Sequence, residues 1–106
     1  RHQMIKHVLL LGRKGFVIED VAAQLNTKQV ELFAGTCLED VIEIFSKHTV
    51  DIVIMGAGID IDDRLTIIKA IFAMSDSTSV HMKDFESGQA GMLPFVDAIL
   101  SGLTAD

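Results

Sequence analysis

A chain of 106 residues, 49% hydrophobic and 23% charged, has the make-up of one globular domain and excludes a disordered or fibrous protein. Its formal charge of −6 disfavours nucleic acid and anionic membrane surfaces as direct partners. A lone cysteine, Cys37, rules out an internal disulfide, and no apolar run reaches the roughly 18 residues that a membrane span needs.

The first strand is expected over Met4–Leu11 (MIKHVLLL), closed by Gly12. Apolar residues at Phe16, Val17, Val21, Ala22 and Leu25 then follow a helical spacing, with Asn26 as the stop. Val30–Ala34 is a short second strand that ends at Gly35-Thr36. Thr36 or Cys37 opens the next helix, in which Leu38, Val41, Ile42 and Phe45 form one stripe. Glu39 and Asp40 in its first turn, and Lys47 and His48 at its end, match the helix dipole.

Val50–Met55 (VDIVIM) is the run around which the chain is arranged: five apolar residues in six, four of them β-branched, ending at Gly56-Ala57-Gly58. Such a run predicts a strand buried on both faces, hence the centre of a parallel sheet. A third helix is expected from Asp62 or Asp63, as its cap, to about Met74, with Leu65, Ile68, Ile71 and Phe72 inward. Ser79–Met82 is a weaker fourth strand and Lys83–Gly91 a loop. The last helix runs from Met92 or Leu93 to about Leu103, with Pro94 in its first turn.

Strand–helix alternation of this kind demands a parallel sheet with right-handed crossovers. The two most apolar strands, first and third, belong at its centre. The expectation is a single α/β domain over residues 1–106, a three-layer α/β/α sandwich with strand order 2-1-3-4. The reduced cysteine and the absence of a signal-peptide pattern fit a cytoplasmic setting.

Phe33-Ala34-Gly35-Thr36, followed by Cys37–His48 and Val50–Asp60, resembles the receiver domain of response regulators, a flavodoxin-like fold. There a short polar turn closes strand two, a helix follows, and a strand of the "PDLVLLD" type carries the phosphoacceptor. The likeness spans about residues 4–84 in element order and spacing. Receiver chemistry does not carry over. An acidic pair after strand one holds magnesium in receivers, whereas Gly12-Arg13-Lys14-Gly15 stands here. The phosphoacceptor position aligns with Gly56, and the Thr/Ser near the end of strand four aligns with Lys83 or Asp84. The Lys-Pro after strand five has no counterpart, and the fifth strand is missing. The resemblance implies a pseudo-receiver that is not phosphorylated at the usual aspartate.

Candidate sites follow from this frame. Gly12, Arg13, Lys14, Gly15, Gly56, Ala57, Gly58 and Lys83 gather at the carboxyl edge of the sheet, beside the switch point between strands one and three. Glycines there allow close approach to the backbone, and the basic groups would favour a small anion or a nucleotide. Neither a P-loop nor a dinucleotide fingerprint is present, and Asp60, Asp62 and Asp63 would repel an anion. These three acids suit helix capping better than a metal site. His7 and His81 lie mid-strand on strands that are not neighbours, which favours structural roles, and Cys37 has no base placed near it. No catalytic set, cofactor motif or metal-ligand spacing can be assembled, so an enzyme is not expected.

A mean hydropathy of +0.39 leaves apolar surface to account for. Without a fifth strand the last helix has less sheet to cover, freeing Leu93, Phe95, Ile99 or Leu103 to meet a second copy. Receivers commonly dimerise through this face. The functional expectation is a non-catalytic, self-associating interaction or regulatory module.

Overall fold

The computed structural model describes residues 5–13, 21, 23, 30–56, 58–83 and 92–104. Four strands, β1 (Lys6–Leu11), β2 (Val30–Gly35), β3 (Ile52–Met55) and β4 (Ser79–Met82), form one parallel sheet in the order β2-β1-β3-β4. Helices α1 (Leu38–Lys47), α2 (Ile61–Met74) and α3 (Met92–Thr104) complete the described elements. Val21 and Ala23 are helical, within the helix expected over Phe16–Leu25. The rest of that helix and the expected loop after Lys83 lie outside the described residues.

Alternation along the strands builds two cores from one sheet. Leu9 pairs with Phe33 on one side and Val53 on the other, and Val53 pairs with Val80. This row continues into Val41 of α1 and Ile67 and Ile71 of α2. On the opposite face Val8, Leu10, Ile52 and Ile54 pack with Val21 and with Val96 and Leu100 of α3. Every residue from Val8 to Leu11 and from Val53 to Met55 is fully buried. Each such side chain contributes about 1.5–3 kcal/mol of transfer free energy, which makes the central pair the main source of cohesion. The result is a flavodoxin-like three-layer α/β/α arrangement. Among the described residues the sheet has four strands.

Three local expectations are corrected. In α1, Ile42 is exposed and Ile44 packs on the core instead. Both residues flank the Leu38–Val41–Phe45 stripe, so hydropathy cannot choose between them; the position of the sheet does. In α2, Leu65 and Phe72 point to solvent, and the buried residues are Arg64, Ile67 and Ile71. The N-cap of α2 is Asp60, not Asp62 or Asp63. Ile59 is drawn into the core, so the chain enters the helix directly after it. Asp62 and Asp63 then fall in the first turn, where the dipole favours them.

Candidate functional site

The carboxyl ends of β1, β2 and β3 open onto a cleft of about 360 Å³. Its walls are the first turns of α1 and α2, with Thr36, Cys37 and Glu39 on one side and Asp60, Asp63 and Thr66 on the other. Arg13 and Gly58 close the end nearest the sheet. The loops after β1 and β3 touch here: a Cβ on Gly58 would come within 3.0 Å of the Arg13 Cβ. Glycine at position 58 is what lets the Arg13 side chain lie so near.

The loop between β3 and α2 is held by an internal cation. Arg64 Nε donates to the Ile59 carbonyl at 3.0 Å and its Nη2 to the Gly56 carbonyl at 2.9 Å. The side chain is only 4% exposed. Gly56 N–H meanwhile donates to the Leu11 carbonyl at 2.7 Å. Both backbone groups of Gly56 are therefore engaged inside the chain.

On the α1 side Cys37 is the N-cap but makes no side-chain cap hydrogen bond. The Asp40 carboxylate does that work, accepting from the Thr36 N–H at 2.8 Å and the Thr36 hydroxyl at 3.2 Å. This is one half of a capping box, with a first-turn acid reaching back to the residue before the cap. The Thr36 N–H above all holds the Asp40 carboxyl below its ordinary value of 3.8. Burial opposes it, while the Thr36 hydroxyl and Cys37 add to the lowering. Gly35 makes room for the turn: a Cβ there would sit 2.9 Å from the Asp40 Cβ and 3.2 Å from Leu11 Cδ2.

The residues expected at an anion site are thus divided. Arg13 and Gly58 line the cleft. Gly12 is buried, with its N–H given to the Gly35 carbonyl at 3.2 Å. Lys83 is buried at the end of β4, its N–H on the Met55 carbonyl, and it is not among the cleft-lining residues. Lys14, Gly15 and Ala57 lie outside the described residues. Three carboxylates, Glu39, Asp60 and Asp63, line the cleft with Arg13, so among the described residues the lining is net negative. Among the described residues no group of three or more His, Cys, Asp and Glu is placed to hold a metal ion.

The histidines serve the far end of the sheet. His7 Nδ1 lies 2.7 Å from the Thr49 carbonyl, which can only accept, so Nδ1 carries the hydrogen. Its Nε2 approaches Glu31 at 3.4 Å, and its backbone N–H donates to Asp51 Oδ2 at 2.9 Å. Phe33 bridges the rings of His7 and His48, with centroids at 5.9 and 4.5 Å. His81 contacts Ser79 Oγ at 3.2 Å on the other edge of the sheet.

Of the residues expected at an interface, Phe95 and Ile99 are half-buried and packed against the core beside Val96 and Leu100. The side chains of Leu93 and Leu103 lie outside the described residues. Large exposed apolar side chains stand elsewhere: Ile61, Leu65, Phe72 and Met74 on α2, Ile42 on α1 and Met82 on β4. Hydropathy does signal them, but it cannot tell an outward apolar stripe from an inward one. Among the described residues no helix is long and apolar enough to cross a membrane. Comparison with family models, with curated proteins and with solved structures finds no match for this chain.

Proposed function

We propose that this chain is a receiver-like interaction module that has lost phosphoryl chemistry and works by presenting a surface to other protein, a second copy first. The observation that carries this reading is the apolar face of α2, where Ile61, Leu65 and Phe72 are each more than half exposed. Apolar surface of this kind on one helix marks an interaction site more often than it marks anything else.

The absence of a nucleophile supports the non-catalytic half. Transfer of a phosphoryl group to a receiver needs a carboxylate at the tip of the middle strand and a second carboxylate pair to hold magnesium. Gly56 offers no side chain and no free backbone group, and Gly12-Arg13 puts a cation where the magnesium ligands belong. A small anion or nucleotide in the cleft is the weaker reading, since Arg13 is outnumbered by Glu39, Asp60 and Asp63.

Incubation with acetyl phosphate and magnesium, read by intact mass, tests the loss of chemistry. The expected result is an unmodified chain, and a stable aspartyl adduct overturns it. Light scattering over a wide concentration range tests self-association, which a monomer at every concentration contradicts.

A further inference from the structure

Along α2, Ile61, Leu65, Ile68 and Phe72 follow one another at spacings of four, three and four; Ile61, Leu65 and Phe72 face outward, and Ile68 also packs on the chain's own core. That is the seam of a heptad pattern, a ridge about 16 Å long at 1.5 Å per residue. Ile61, Leu65 and Phe72 are 53%, 57% and 51% exposed, and Ile68 is half-buried. The neighbouring stripe, Arg64, Ile67 and Ile71, is committed to the chain's own core and loop. One side of the helix is therefore closed by its own domain, and Ile61, Leu65 and Phe72 form an outward ridge that Ile68 joins to the core.

Charge along the open flank decides what the ridge fits. Asp62 and Lys69 are both exposed and lie seven residues apart on the same side of the seam. About 10 Å of helix separates them, too far for a pair within one chain. Neither forms an ion pair with another described residue. In an antiparallel pairing of two such helices about a two-fold axis, Leu65 packs on Ile68 of the other copy and Ile61 on Phe72. The same operation sets Asp62 of each copy beside Lys69 of the other, twice. A parallel pairing puts the Asp62–Lys69 flanks of the two copies on opposite sides of the seam and forms no such pair.

We infer that α2 is the self-association face of this protein: an isologous, antiparallel α2–α2 contact with an Ile61–Leu65–Ile68–Phe72 seam, flanked by reciprocal Asp62–Lys69 pairs. The inference rests on the interaction-module reading and names its first partner, a second copy of this chain. A C2 contact of one helix per subunit is small, so the association is reversible and tightens with concentration.

Sedimentation equilibrium of the whole chain, from micromolar to near-millimolar concentration, tests it. The unaltered protein shows a monomer–dimer equilibrium that weakens moderately with salt. Leu65→Glu and Phe72→Glu each leave a folded monomer by circular dichroism, because both positions are exposed, and each removes the dimer. Asp62→Lys and Lys69→Asp each weaken the homodimer by about tenfold, through facing like charges. An equimolar mixture of the two restores it as a heterodimer, because every flanking pair is then opposite in sign. Retention of the dimer in Leu65→Glu overturns the proposal and points to another face, such as the β4 edge, while self-association itself stands. A monomer at every concentration overturns both. Dimers lost in the single charge variants but not recovered on mixing overturn the antiparallel geometry.

Discussion

The Arg64 guanidinium reaches back eight residues to the Gly56 carbonyl, 2.9 Å away, and fixes the loop that leaves the central strand. With its Nε on the Ile59 carbonyl, one buried cation satisfies two acceptors that the turn would otherwise strand away from water. Arg64 thereby ties α2 to the carbonyls of Gly56 and Ile59. The helix that carries the apolar ridge is in this way hydrogen-bonded to the residue that follows the central strand.

Replacing Arg64 therefore removes more than a charge. Arg64→Ala leaves two buried carbonyls unpaired and opens a void, and it should cost about 2–4 kcal/mol. Arg64→Lys retains the cation, but a single ammonium cannot reproduce the planar fork, so its cost is intermediate. Urea unfolding measures both. An Arg64→Ala variant within about 0.5 kcal/mol of the unaltered chain would show that the guanidinium is incidental.

This residue also explains where sequence patterning succeeds and where it fails. Val50–Met55 is legible because a strand between two strands buries both faces, which needs an unbroken apolar run. Strand order follows in turn, since β2 and β4 are visibly the more polar pair. The inward face of α2 is legible only in part. Hydropathy turns the helix toward Leu65, Ile68, Ile71 and Phe72; Ile71 and Ile68 do meet the core, but Leu65 and Phe72 face solvent and the buried stripe contains an arginine. The cation is buried for the sake of two carbonyls, and backbone acceptors have no signature in the amino-acid sequence. The glycines at 56 and 58 announce a turn, but that Gly56 is consumed by Arg64 and Leu11 while Gly58 faces the cleft is visible only in three dimensions.

Close backbone approach at two glycines gives a graded expectation. Gly35→Ala puts a methyl 2.9 Å from the Asp40 Cβ and 3.2 Å from a Leu11 methyl, both held by the core and by the first turn of α1. Overpacking against fixed atoms costs about 1–3 kcal/mol. Gly58→Ala first meets Arg13 Cβ, at 3.0 Å, a looser approach than the one at Gly35. Thermal melting should place Gly35→Ala well below Gly58→Ala. The reverse order would mean that the β2–α1 turn is the softer of the two.

Asp40 makes stability depend on pH in a definite direction. Its carboxyl titrates below its ordinary value because the ionised form accepts from Thr36. A depressed folded-state pKa stabilises fully above the unfolded-state value, and the contribution is lost as pH falls through the folded one. Asp40→Ala should thus cost about 0.5–1 kcal/mol near neutrality, the size of a lost helix cap at an exposed position. The gap to the unaltered chain should narrow below about pH 4. Asp40→Asn keeps an acceptor without the charge, so its smaller deficit should change little with pH. A deficit for Asp40→Ala that is equal at acid and neutral pH would assign the effect to packing beside Gly35.

The cleft makes the last prediction, because its charge opposes the ligand its glycines suggest. Among the described lining residues Arg13 is the one cation beside Glu39, Asp60 and Asp63, so the carboxylates outnumber the guanidinium. A ligand that binds only the folded chain must raise its melting temperature with concentration. Inorganic phosphate and adenine nucleotides should therefore leave the midpoint unmoved at millimolar concentration. Asp60→Asn with Asp63→Asn brings the described lining to neutrality, leaving Arg13 against Glu39. If the helix N-termini are otherwise fit to receive an anion, a phosphate-dependent rise should emerge in that double variant and disappear again on adding Arg13→Ala. A rise already present in the unaltered chain, and abolished by Arg13→Ala, would show that the guanidinium prevails over its acidic neighbours and that the cleft is a ligand site after all.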